Sequence, residues 1–313
     1  MTVRPSSASA PTSRPRCSGC STSRAAFKTS KESVVTTTHE DNDNAGWAVI
    51  LGVSSGTGAA VAHALAQDPG LQIFGAHRGC YADQAAEVER AVQQTGRRIE
   101  MWVADAGTAE GAQQGAERLL QIAGERSVRM FVHSIASASM GQFVVGEDVL
   151  HPRQIEKTFN AMAHSFVHWA RELYDANLLA PGARLLALNN PLDHTHLHNT
   201  GAVSASKAAL EQYVHHLAIE LGQEGFRVNM LKFGTVMTSA LRHVYAPDTL
   251  QQLEEAHCRM NPAGRMCTVE EVARFVSVLA GDAAEWFNGA TIDFTGGMNL
   301  KLIDLVLNPE RHD

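Results

Sequence analysis

The sequence predicts a doubly wound α/β fold on a seven-stranded parallel sheet. Three observations lead there. Seven short apolar runs recur along the chain, each separated from the next by a stretch long enough for a helix. The first run passes directly into a glycine-rich turn and an alanine-rich helix. After residue 45 no second composition break interrupts the alternation, so one large domain is expected over 45–313.

The predicted strands are 47–51, 71–74, 99–103, 128–133, 184–188, 226–231 and 290–294. Each is a short apolar run, as strands covered on both faces require. The clearest helix is expected at 201–224, where Val203, Leu210, Tyr213, Val214, Leu217 and Leu221 recur at three- and four-residue steps. Lys207, Glu211 and Gln212 fall off that stripe in this reading. A second long helix is expected at 151–179.

Residues 1–44 are different. They are rich in Ser, Thr, Pro and Arg and carry no acidic residue before Glu32. So little apolar surface predicts a disordered tail. An acid-free, Arg- and Ser-rich start also suits a transit peptide, but Pro5, Pro11 and Pro15 interrupt any amphipathic helix. Cys17 and Cys20 have the inner spacing of half a zinc site, yet no second pair follows at metal-site distance.

Composition narrows the function classes. Of 313 residues, 44% are hydrophobic and 19% charged, enough for a sizeable core. The formal charge of −7 argues against a nucleic-acid-binding surface. No apolar stretch approaches the roughly 18 residues of a membrane span. Five cysteines, an odd number scattered through a large chain, read as a reducing compartment, and cytoplasmic localisation is expected.

The first strand leads into Gly52-Val53-Ser54-Ser55-Gly56-Thr57-Gly58 and then a helix. Small residues let the backbone approach a pyrophosphate held at that helix's N-terminus. The second strand ends at His77-Arg78, where NAD-specific sites place a carboxylate for the ribose. A guanidinium there can pair with a 2′-phosphate, so NADPH is the expected cofactor. Asp105, after the third strand, is open to two readings: a contact near the adenine, or the N-cap of the next helix.

Gly-x-x-x-Gly-x-Gly is the spacing used by short-chain dehydrogenases/reductases, which the chain resembles over 46–300. His133-Ser134-Ile135-Ala136 resembles the enoyl-acyl-carrier-protein reductase branch, where most other members carry an Asn-Asn-Ala-Gly turn. Ser204 to Lys207, Gly234 to Thr238, Asn261 to Arg265 and Thr295 to Gly297 follow in the family's order. The resemblance implies a Rossmann-type fold and a cofactor site drawn from Gly52, Ser54, Ser55, Gly56, Gly58, His77, Arg78, Asp105, Ser134, Ile135, Ala136, Lys207, Gly234 and Thr238. It also implies a homotetramer built on the 151–179 and 201–224 helices, and an acyl substrate that an acyl carrier protein can deliver.

The catalytic positions depart from that pattern. The family's tyrosine precedes its lysine by four residues, or by seven in enoyl reductases. With Lys207 in place, those positions hold Val203 and Thr200. The supporting hydroxyl falls on Asn189 and Asn190. A threonine can donate a hydrogen bond to a carbonyl but cannot supply a proton near neutral pH as an activated phenol can. The loop from Asp193 to Asn199 carries His194, His196 and His198, and imidazole titrates near neutrality. His198 is the best candidate for proton donor, with Asp193 as a possible orienting partner. A solvated surface loop is the plainer reading, and no metal is expected there. The catalytic set is then Lys207, Thr200, His198, Asn190 and Asn189.

Residues 239–260 match the family's lid, with Leu241, Val244, Tyr245, Leu250 and Leu253 as an apolar wall. Two functions stay open. One is an NADPH-dependent reductase of an enoyl or polyketide-like thioester with altered proton delivery. The other is a non-reductive enzyme (cyclase, dehydratase or isomerase), or an NADP(H)-binding regulatory protein, on the same scaffold.

Overall fold

A computed structural model describes residues 45–313, apart from 192–195 and most positions after 301. The expected tail, with Cys17 and Cys20, lies outside the described residues, as do Asp193 and His194. The seven strands are β1 Gly46–Leu51, β2 Leu71–His77, β3 Ile99–Val103, β4 Val128–His133, β5 Leu179–Asn189, β6 Arg227–Phe233 and β7 Thr291–Phe294. They form one parallel sheet in the order β3-β2-β1-β4-β5-β6-β7. The order reverses between β1 and β4, and doubly wound sheets bind ligands at such a switch point.

Nine α-helices are described: α1 Gly56–Leu65, α2 Ala82–Gln94, α3 Ala109–Ala123, α4 Pro152–Phe159, α5 Ser165–Asp175, α6 Gly201–Gln223, α7 Ser239–Val244, α8 Pro247–Met260 and α9 Val269–Ala280. Strand alternation splits the core into two layers. Trp47, Val49 and Leu51 pack with α3, α5 and α6, while Ala48 and Ile50 pack with α1, α2 and α9. In the first layer Trp169 touches Phe74, Trp102 and Phe131 with ring centroids 6.1–6.4 Å apart. Its indole N–H donates to the Ala106 carbonyl at 2.9 Å, tying the turn after β3 to the core.

Three expectations change. Strand β5 starts at Leu179, five residues early, because a register shift opposite Val128/Met130 lets the exposed Pro181-Gly182 pair bulge out without ending the strand. The helix expected at 151–179 is continuous over residues 152–175, with a π-helical turn at Asn160–His164 between α4 and α5, and ends before Leu179 because that residue already belongs to β5. Lys207 is on the buried face of α6, 5% exposed, since it sits one turn after Val203 and two turns before Val214.

Candidate active site

A cleft of about 360 Å³ opens at the switch point between β1 and β4. Its floor is the turn after β1. Gly52 has φ +81°, a conformation that L side chains rarely adopt, and its N–H donates to the Ala76 carbonyl at 2.9 Å. A Cβ at Gly52 would lie 2.6 Å from the Ser134 carbonyl, and one at Gly58 would run into the Gly52 carbonyl. Backbone therefore meets backbone across the turn, and α1 starts against it. Ser55, the N-cap of α1, makes no side-chain cap hydrogen bond, so the first amides of the helix keep their donors for an anion.

Of the expected cofactor residues, Gly52, Ser54, Ser55, Gly56, His77, Arg78, Asp105, Ser134, Ile135, Ala136 and Thr238 all line this cleft. Gly58, Gly234 and Lys207 are not among the residues that line it. Burial lowers the His77 pKa, and its Nδ1 accepts from the Gly79 N–H at 3.2 Å. Arg78 beside it is exposed, and its guanidinium has no protein partner among the described residues. Asp105 is not the N-cap of α3: Thr108 fills that role, accepting from the Gly111 N–H. Asp105 instead closes its own turn, accepting from the Gly107 N–H at 3.1 Å. Thr238 caps α7 through the Leu241 N–H at 3.2 Å and also lines the cleft, so one oxygen can serve both roles. Asn160 lines it too, as do Tyr81, Arg153 and Lys157, which the sequence reading missed. The spacing of Arg153 and Lys157, one turn apart on α4, was the available signal.

The catalytic candidates are arranged differently. The Lys207 ammonium donates to the Leu188 carbonyl at 3.3 Å, at the C-terminal end of β5. Asn189 is 1% exposed. Its amide nitrogen reaches the Lys207 carbonyl and Met230 Sδ, and its Oδ1 accepts from the Asn190 N–H. It is thus a corner brace, not a donor to substrate. Thr200 is 3% exposed and its hydroxyl donates to the Leu197 carbonyl at 2.8 Å, which removes the proton expected for an acyl oxygen. Val203 sits in an apolar cluster with Ala161, Met162 and Ile135. Tyr213 binds His164 Nδ1 through its hydroxyl at 3.0 Å, on the α4–α5 side of α6. His198 remains exposed, and its Nε2 lies 3.0 Å from Gln142 Nε2. Among the described residues no group of three metal ligands occurs.

His133, the last residue of β4, is fully buried. Its Nε2 bonds Ser165 Oγ at 2.8 Å, and that hydroxyl donates to the Ala161 carbonyl inside the π-turn. Because the hydroxyl proton is spent on Ala161, His133 carries its own proton on Nε2. Burial first, and the Lys207 charge second, push its pKa down to about 3, so the ring is neutral.

The family model described as enoyl-(acyl carrier protein) reductase matches residues 52–299. The chain belongs to the short-chain dehydrogenase/reductase family. This makes it an enzyme of the oxidoreductase class. It is 25% identical over 252 residues to 1-cyclohexenylcarbonyl-CoA reductase of Streptomyces collinus, covering 80% of this chain and 86% of that protein. It is 27% identical over 259 residues to a versicolorin reductase of Emericella nidulans, covering 80% and 94%. L-sorbose reductase of Gluconobacter frateurii, solved with NADPH and L-sorbose, superposes with a TM-score of 0.71 at 23% identity, covering 82% of this chain and 97% of that one. This last likeness carries the fold.

Proposed function

We propose that this protein is an NADPH-dependent reductase of an enoyl or related acyl or polyketide-like thioester, with His198 as proton donor in place of the tyrosine. The observation that carries it is the coincidence, in one cleft, of the glycine cradle, the uncapped start of α1 and the unpaired Arg78. These residues fit a dinucleotide. The α1 amides would hold the pyrophosphate and Arg78 the 2′-phosphate. Thr238, which faces Gly56, would meet the nicotinamide end. When bound, NADPH supplies the hydride.

The chain's own residues then have separable tasks. Lys207 is held at the strand end by the Leu188 carbonyl, beside the place its family uses for the nicotinamide ribose. Asn189 fixes that corner, and Asn190 follows it as the amide nearest the loop. His198, exposed beyond Thr200, can take a proton from water and pass it to the reduced substrate. The lid supplies apolar surface, with Leu250 buried and Leu241, Tyr245 and Leu253 half-buried. The names of two relatives, a 1-cyclohexenylcarbonyl-CoA reductase and a versicolorin reductase, support a reductase, the first of them one that acts on a CoA thioester.

In the same reading the enzyme is a cytoplasmic homotetramer that takes its substrate from an acyl carrier protein. Cys80, Cys258 and Cys267 are free, as a reducing compartment requires. The α4–α5 and α6 faces would form the subunit contacts, which sedimentation tests. The inward commitment of Asn189 and Thr200 favours the second reading, a scaffold that binds NADP(H) without redox turnover. Consumption of NADPH, followed by absorbance against a panel of enoyl and ketoacyl thioesters, separates the two: turnover supports the first, while binding without turnover on every member supports the second.

A further inference from the structure

We propose that Gln142 is a positioning residue that sets the protonation state of His198. The proposal rests on the reading of His198 as proton donor. Gln142 lies in the connection between β4 and α4, which no family motif in the chain reaches. Its backbone closes a small loop: its N–H donates to the Asp148 carbonyl at 2.9 Å, and its carbonyl accepts from the Leu150 N–H at 2.8 Å. The neighbouring Gly141 N–H donates to the Asn199 carbonyl at 2.9 Å, so the loop is docked on the residue next to His198. The Phe143 ring lies against Gly201, where any side chain would collide with it. Two segments over fifty residues apart are therefore locked together around one imidazole.

The side-chain geometry is specific. Gln142 Nε2 can only donate, so His198 Nε2 accepts and the neutral ring carries its proton on Nδ1. Gln142 Oε1 is buried without a partner among the described residues, and Gly146 packs directly on that amide. A buried amide oxygen with no donor is a rare arrangement. Turning the amide by half a revolution exchanges its two ends and presents Oε1 to an Nε2–H. An amide thus pairs with either state of the ring, its N–H with neutral imidazole and, in the stronger charge-assisted bond, its oxygen with imidazolium, so the pairing favours the protonated ring. His198 takes its second proton from water on Nε2, where Oε1 receives it, and releases the Nδ1 proton to the substrate. Titratable groups on the same elements are Glu147 and Asp148 on the loop, His196 on the segment of His198, and Lys207, Glu211, Tyr213, His215, His216 and Glu220 on α6, while Asp193 and His194 lie outside the described residues.

The test is ring-carbon NMR titration of His198, assigned with His198→Ala, alongside the pH dependence of kcat/KM in wild type, Gln142→Glu and Gln142→Leu. A general acid loses activity as pH rises through its pKa. A carboxylate at 142 stabilises imidazolium, so in Gln142→Glu both the titration midpoint and the high-pH limb should move up by about one pH unit. Gln142→Leu should move both down and lower kcat/KM about tenfold, with NADPH affinity unchanged. A midpoint that ignores both substitutions overturns the pairing and leaves the His198 reading intact. A midpoint that moves while the limb stays put overturns the donor role of His198 and with it the catalytic part of Gln142.

Discussion

The cofactor cleft and the corner between β5 and α6 that holds the catalytic candidates are built on opposite principles. At the cofactor end, the donors that matter are backbone amides of a turn and a helix start, fixed by glycines pressed against Ser134 and Gly52 carbonyls. Their geometry is independent of any side-chain rotamer. At the chemical end, the polar groups are side chains, and most have found partners inside the protein: Lys207 on Leu188, Thr200 on Leu197, Asn189 on Lys207 and Met230. A backbone cradle survives changes of side chain. A constellation of side chains does not, because polar groups that can turn inward satisfy one another.

The largest expected effect lies at the chemical end. His198→Ala should lower turnover by about 10²–10⁴ while NADPH affinity stays constant, since only proton delivery is removed. Steady-state kinetics with fluorescence titration of the cofactor measures the two separately, and an equal loss in both would merge the two ends into one site. Next comes the cradle itself. Gly58→Ala pushes a Cβ into the Gly52 carbonyl, so the turn must open; NADPH affinity should fall by about 10² and stability by about 2–3 kcal/mol, read by calorimetry and denaturation.

Arg78→Ala sharpens the comparison by touching one side chain at the backbone end. Its exposed position screens the charge, so a loss of about tenfold in NADPH affinity is expected, with NADH unchanged. Equal affinities for the two cofactors in wild type would end the assignment of Arg78 to the 2′-phosphate.

A separate effect, away from the cleft, is a pH dependence of folding. His133 is held at a pKa of about 3 against an ordinary 6.5, so the unfolded chain takes up a proton that the folded chain refuses. Stability from this group is complete above about pH 6.5 and falls as pH drops toward 3, with a slope approaching about 1.4 kcal/mol per pH unit. His133→Asn should flatten that part of the curve in denaturant titrations at a series of pH values. An unchanged slope would mean that the ring is already protonated in the native state.

How legible the molecule was depended on how local each feature is. The strands and the glycine turn were readable because apolar periodicity and turn chemistry act over a few residues. The burial of Lys207 was misjudged by its charge, although its spacing from Val203 and Val214 placed it on the inner face. The early start of β5 was hidden because Pro181-Gly182 reads as a break, and only the neighbouring strand shows it to be a bulge. Arg153 and Lys157 share one face of α4, but their spacing alone does not say what that face meets, and only the fold brings it to the cleft.

By itself the sequence determined the doubly wound sheet, the dinucleotide turn and the absence of a tyrosine at the two expected positions. These follow from residue identity and short-range spacing. Tertiary structure alone decided where each polar side chain spends its hydrogen bonds: that Thr200 and Asn189 face inward, that Thr108 and not Asp105 caps α3, and that Gln142 meets His198 across fifty-six positions. The physical reason is that a buried polar atom takes the nearest good partner in space, and the chain order does not encode that distance.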